Sequence, residues 1–189
     1  MPVTFNRFKS CAVRFEAQPG PGCLLTVDSG AKRVGAAFWY WHTAASGAAL
    51  MAAGTLKAKE DALLPAELRQ WTFDWMQAAS AGQAWPLYSA VEVPKKRPNK
   101  RKYHKDLNRL LTFVEASGPW TLRLFPEEWK AGVGSTLKPR GKEPHHHRLR
   151  KALDPAEQAL FDAAGPDGKD AVGIGLYVLG RTQRGGRQC

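Results

Sequence analysis

Cys23-Leu24-Leu25-Thr26-Val27-Asp28-Ser29-Gly30-Ala31-Lys32-Arg33-Val34-Gly35-Ala36-Ala37-Phe38-Trp39-Tyr40-Trp41 is the stretch on which the reading of this chain turns. An apolar run ends in an acid, a Ser-Gly turn follows, and a second apolar run begins at Val34. Both runs have the length and bulk of buried strands. A carboxylate at the tip of a buried strand is costly unless a cation, a proton or a hydrogen bond compensates it. The arrangement recurs at Glu92, after Leu87-Tyr88-Ser89-Ala90-Val91, and Asp170 precedes an almost wholly apolar helical stretch. Three acids in apolar surroundings, far apart in sequence, point to one shared cation site.

The spacing outward from this stretch predicts strands over 23–29, 34–41, 48–57, 87–93 and 120–125. It predicts helices over 66–79, 103–117, 145–152, 155–164 and 168–181, with a short one from Pro126. The helix at 66–79 carries Leu68, Trp71, Trp75 and Ala79 at helical spacing, which sends Asp74 to the outer face. Leu107, Leu110, Leu111 and Val114 form a similar stripe in the next one. Short connections make the first three strands an antiparallel meander; strands 4 and 5, joined through helices, read as parallel crossovers. The expected fold is therefore α/β: a five-stranded mixed sheet flanked by helices. Asp28 and Glu92 both end strands, and sites of open α/β sheets form at such carboxyl ends. If strands 1 and 4 are neighbours, these two carboxylates meet.

Residues 1–22 read as an appended arm, because Pro19-Gly20-Pro21-Gly22 breaks any regular element. Residues 23–182 read as a single domain, 183–189 as a basic tail, and 132–144 as a mobile Gly/Lys/Pro stretch. A chain of 189 residues with 43% hydrophobic residues supports one substantial core, and most of its seven Trp are expected to pack within it. No apolar run reaches the roughly 20 residues that span a bilayer, and the start of the chain has no signal-peptide core. Cys11, Cys23 and Cys189 fit neither a disulfide framework nor a zinc ribbon, and suit a reducing cytoplasm.

A net charge of +11 points to a polyanion. Lys95, Lys96, Arg97, Lys100, Arg101, Lys102 and Lys105 follow Glu92 directly, so this basic loop is expected to hang over the acid site. Lys138, Arg140 and Lys142 begin a second cluster, continued by Arg148, Arg150 and Lys151. Such contacts grip phosphates without reading sequence, so nucleic acid is the expected partner. Asp167 and Asp170 stand one helical turn apart. Gly173, lacking a side chain, would let their helix lie close to the sheet. Hard oxygen ligands suit Mg²⁺ or Mn²⁺, and two such ions roughly 3.5–4 Å apart activate water for phosphodiester hydrolysis. Clustered carboxylates repel, so at least one should have a raised pKa without metal. His145-His146-His147 reads as a solvated helix start or phosphate contact, since consecutive His converge poorly on one metal. Asp167 also reads as a helix N-cap, and Asp28 as an Asx turn, if neither binds metal.

Val27-Asp28-Ser29-Gly30-x4-Gly35, Val91-Glu92-Val93-Pro94 and Asp167-x-x-Asp170-Ala171 resemble the active-site segments of RuvC-like Holliday junction resolvases, in the ribonuclease H-like superfamily. Phe125-Pro126-Glu127-Glu128-Trp129-Lys130 is similar to phage and bacterial members as well. The resemblance covers roughly residues 23–182, through element order and spacing. It implies a metal-dependent endonuclease, usually a homodimer, that nicks branched DNA in a bacterial or phage-infected cell. Asp28, Glu92, Asp167 and Asp170 would then be the catalytic metal ligands. One departure stands out: Lys95, Lys96 and Arg97 occupy the positions where the family holds an aromatic wedge, and the nearest later aromatic is Tyr103. Asp28 to Gly35 also resembles the start of YqgF-type RNA-processing proteins, which lack the Val-Glu-Val-Pro segment. A non-catalytic nucleic-acid-binding module and an actin-like ATPase are the other readings; the second needs a second lobe and a phosphate loop that the sequence does not supply.

Overall fold

The computed structural model describes residues 19–30, 32–57, 64–93, 108, 110–112, 114, 116, 120–133 and 143–181. Its strands are β1 (Gly22–Asp28), β2 (Val34–Trp41), β3 (Ala49–Leu56), β4 (Leu87–Glu92) and β5 (Trp120–Leu124). Its helices are α1 (Leu64–Ser80), α2 (Pro126–Gly132), α3 (Glu143–Lys151), α4 (Pro155–Ala163) and α5 (Pro166–Val178). Residues 108, 110–112, 114 and 116 are also helical. The strands form one sheet in the order β3-β2-β1-β4-β5. β1 pairs antiparallel with β2, and β2 with β3; β1 pairs parallel with β4, and β4 with β5. The expected mixed sheet is thus present, with β1 and β4 adjacent.

Strand alternation divides the core into two layers, one on each side of the sheet. Cys23, Leu25, Val27, Phe38, Leu87 and Val91 pack with Leu64 and Leu68 of α1 and with Leu110, Leu111 and Val114. Leu24, Trp39, Trp41, Tyr88, Ala90 and Leu124 pack on the other side with Trp129, Leu149, Phe161 and the apolar run of α5. Trp39, Trp41 and Trp129 are fully buried, and Trp71, Trp75 and Trp85 pack partly buried against the other layer, so most of the seven Trp pack as expected. Asp74 faces solvent, where it accepts a hydrogen bond from Gln70 at 2.8 Å.

α5 crosses the sheet at very close range. Gly168 backs onto the Gly54 backbone of β3, and Gly175 onto the Trp39 ring of β2. A polar chain fixes the crossing: Trp39 Nε1 donates to Thr26 Oγ1 at 3.3 Å, and the Thr26 hydroxyl donates to the Ala171 carbonyl at 2.8 Å. Gly173, expected to face the sheet, instead makes room for Trp129 of α2 and Leu149 of α3. Its direction follows from the helix period, which turns it away from Gly168 and Gly175 toward the covering helices.

Among the described residues, no helix is long and apolar enough to cross a membrane. The arm before residue 19, the stretch 134–142 and the tail after 181 lie outside the described residues. So do Lys95, Lys96, Arg97, Lys100, Arg101, Lys102, Lys105, Lys138, Arg140 and Lys142.

Candidate functional site

The site forms where β1 and β4 end. The parallel register sets Val27 beside Val91, so Asp28 and Glu92 follow as neighbours. Both lie on the even-numbered face shared by Thr26 and Ala90, the face covered by α5. Glu92 is only 7% exposed. Its outer carboxylate oxygen accepts a 2.6 Å hydrogen bond from Trp129 Nε1, and its main-chain carbonyl accepts one from the Ser29 hydroxyl.

Gly35, opposite Asp28 in the antiparallel register, lies against the Asp167 carbonyl and the Gly168 amide. No residue with a Cβ fits there, so this glycine lets the first turn of α5 reach the strand tips. That turn carries Asp167, and the next carries Asp170, itself 6% exposed. The helix cap is Gly165, which makes no side-chain cap. Asp167 is therefore not the N-cap but a first-turn acid, ion-paired at 3.1 Å with Arg33 Nε of the β1–β2 turn.

The electrostatics follow from crowding. Burial, then the negative charges of Glu92, Asp170 and Asp167, push the Asp28 carboxyl up to about 8, against the pull of Lys130. Burial raises Glu92 too, opposed by the Trp129 hydrogen bond and Lys130. Burial alone would also raise Asp170, but the His146 hydrogen bond, Lys130 and the two neighbouring histidines outweigh it and hold the carboxyl low. The expected pKa rise falls on Asp28 and on Glu92, and burial is the largest single cause in each. All four acids named from the sequence are brought together.

Two features of the site were given no role in the sequence. The first is Trp129-Lys130, noted there only as the end of the Phe125–Lys130 resemblance. Lys130 Nζ sits 3.8 Å from Asp170 Oδ2 and 4.9 Å above the Trp129 ring. The second corrects the reading of the histidine run. His147 is exposed, but His145 and His146 turn inward with side chains only 14% exposed. His146 Nε2 lies 2.8 Å and His145 Nε2 3.8 Å from the same oxygen, Asp170 Oδ1. The three residues offer ligand atoms all within 4.8 Å of one another. The missing carboxylate comes from α5, 24 positions away, where no local spacing shows it.

The mixed sheet order, with acids at the ends of its first and fourth strands and on its last helix, defines a ribonuclease H-like fold. No protein-family model and no curated protein matches the sequence. Among solved structures, the chain is similar to Thermus thermophilus RuvC in complex with Holliday junction substrate, at TM-score 0.56 and 17% identity, over 82% of this chain and 91% of that one. It is equally similar to Thermus thermophilus RuvC in a second structure, at TM-score 0.55 and 18% identity, over 82% and 92%. The chain thus has the RuvC-like form of the fold.

Proposed function

We propose that this protein is a metal-dependent endonuclease that cuts branched DNA, four-way junctions above all. The observation that carries the reading is the convergence of Asp28, Glu92, Asp167 and Asp170 at the carboxyl ends of the two central parallel strands. Their donors are hard carboxylate oxygens, which suit Mg²⁺ or Mn²⁺. Burial and the neighbouring acids raise the Asp28 pKa, and a bound cation would favour its ionised form. The residues therefore fit one or two divalent ions, held by Asp28, Glu92 and Asp170 with Asp167 assisting. When bound, such ions supply an activated water and neutralise charge at the scissile phosphate.

The chain's own side chains have separate tasks. Trp129 Nε1–H fixes the Glu92 carboxylate, leaving its second oxygen for a cation. Arg33 holds Asp167 toward the strand tips. Lys130, half-buried beside Asp170, offers an ammonium to a phosphate oxygen. Lys95, Lys96, Arg97, Lys100, Arg101, Lys102 and Lys105, next in sequence after the Glu92 strand, would grip the flanking backbone, aided by Lys138, Arg140 and Lys142. The likeness of fold to RuvC with a junction substrate supports branched DNA as the substrate class. Paired cuts need two sites, so the working unit in this reading is a homodimer.

The test is cleavage of a labelled four-way DNA junction with Mg²⁺ or Mn²⁺, comparing wild type with Asp170→Asn. Paired symmetric nicks, lost in the variant with binding retained, are expected. Tight binding without cutting in either metal would leave a non-catalytic binding module. Preference for structured RNA over the junction would move the activity to RNA processing.

A further inference from the structure

Mg²⁺ takes oxygen, whereas imidazole suits Zn²⁺ and its neighbours. The site carries both donor kinds on opposite sides of one residue. Asp170 Oδ2 faces Lys130, and Asp170 Oδ1 faces the His145 and His146 Nε2 atoms.

We propose that His145, His146 and Asp170 form a second metal subsite, one that selects Zn²⁺ or a similar borderline ion over Mg²⁺. The inference rests on the reading of Asp170 as a metal ligand and adds nitrogen donors to it. Neighbouring residues on a helix point about 100° apart, so two adjacent histidines ordinarily diverge. Here their rings lie 5.4 Å apart at 43°, and both Nε2 atoms turn to one oxygen. Aromatic packing holds them there: the Trp129 ring lies 5.4 Å from His145, and the Phe161 ring 6.2 Å from His146 in edge contact. Two ligands at about 2.0–2.2 Å from one zinc stand roughly 3–4 Å apart. The histidine nitrogens lie 2.8 and 3.8 Å from Oδ1, and all three ligand atoms lie within 4.8 Å of one another, so ring movements of about an ångström would meet that spacing. Lys130 opposes an added cation. Glu92, Asp167 and Asp170 outnumber Lys130 and Arg33 around it.

The experiment uses the metal-free full-length protein without DNA. Zn²⁺ and Mg²⁺ binding are measured calorimetrically, and Co²⁺ is added as a chromophore for nitrogen ligation. In wild type, Zn²⁺ should bind more tightly than Mg²⁺, and Zn²⁺ should displace a visible Co²⁺ band. Replacing both His145 and His146 by Ala should cost Zn²⁺ affinity about tenfold or more, with little change for Mg²⁺. An equal loss for both ions would mean that the pair only positions Asp170, and the proposal would fall. It would fall equally if Zn²⁺ bound no tighter than Mg²⁺. Should the double variant misfold, nitrogen NMR of the wild type decides. Zn²⁺ should shift the Nε2 resonances of two of the five histidines, and unshifted resonances would overturn the subsite. Zinc binding with no junction cleavage would count against the nuclease reading alone.

Discussion

Asp28 has the most strongly raised carboxyl of the site, and its titration has a sign. The unfolded carboxyl has a pKa near its usual value of about 3.9, and the folded one is pushed up to about 8. Between those values the folded state holds more protons than the unfolded state. Metal-free stability therefore falls as pH rises through that window, so far as Asp28 contributes. Below it both states are protonated and the contribution is flat. We expect the metal-free melting temperature to drop between pH 5 and pH 9 by more in wild type than in Asp28→Asn. Added Mg²⁺ should raise it more at pH 9 than at pH 5. Thermal melts with and without chelator check this. Parallel pH curves for the two proteins would contradict the burial of Asp28 charge. Asp170 has the opposite sign: its low folded pKa contributes stability at neutral pH that is lost as pH falls through it.

At the scale of elements, α5 is the part on which the site depends, and its approach is set by glycines. Gly35→Ala would drive a methyl into the Asp167 carbonyl, and Gly175→Ala one into the Trp39 ring. Overpacking of this kind typically costs about 1–3 kcal/mol. Both should lower stability to denaturant by about that much. Gly35→Ala should also weaken divalent-cation binding, because it displaces the turn that carries Asp167; Gly175→Ala, more than a turn beyond Asp170, should affect binding less. Equal effects on cation binding would argue against that division. Most of this architecture was legible in the sequence. Strand ends fell within about a residue because apolar runs and turn residues are local signals. The direction of Gly173 was misread, and the His145–His146–Asp170 group was missed. Both depend on which helix covers which, and periodicity along one segment carries no information about a partner far away in sequence. The N-terminus of α5 was placed two residues late: Asp167 resembles a cap chemically, but the cap itself is Gly165, before Pro166.

Across the whole molecule, a second buried charge holds the layers together. Glu157 of α4, 3% exposed, accepts from the Leu50 amide at 2.8 Å and from both terminal nitrogens of Arg181, at 2.7 and 2.6 Å. Arg181 also donates to the Ala48 carbonyl at 2.9 Å. This bracket joins β3, α4 and the segment just after α5, away from the acids. Arg181→Ala leaves a buried carboxylate unpaired, and such losses run to about 3–5 kcal/mol. Chemical denaturation should show a fall of that order with cation affinity per folded molecule unchanged. A variant that keeps full stability would show the bracket to be dispensable. The Thr26–Ala171 hydrogen bond spans 145 positions and ties the first strand to the last helix. Contacts so distant are slow to form. On the ribosome, the strands bearing Asp28 and Glu92 emerge well before Asp170 does. A nascent chain therefore cannot assemble the complete set of acids until α5 has been made, so the cutting chemistry we propose would be absent throughout synthesis and would begin only with the closing of the fold.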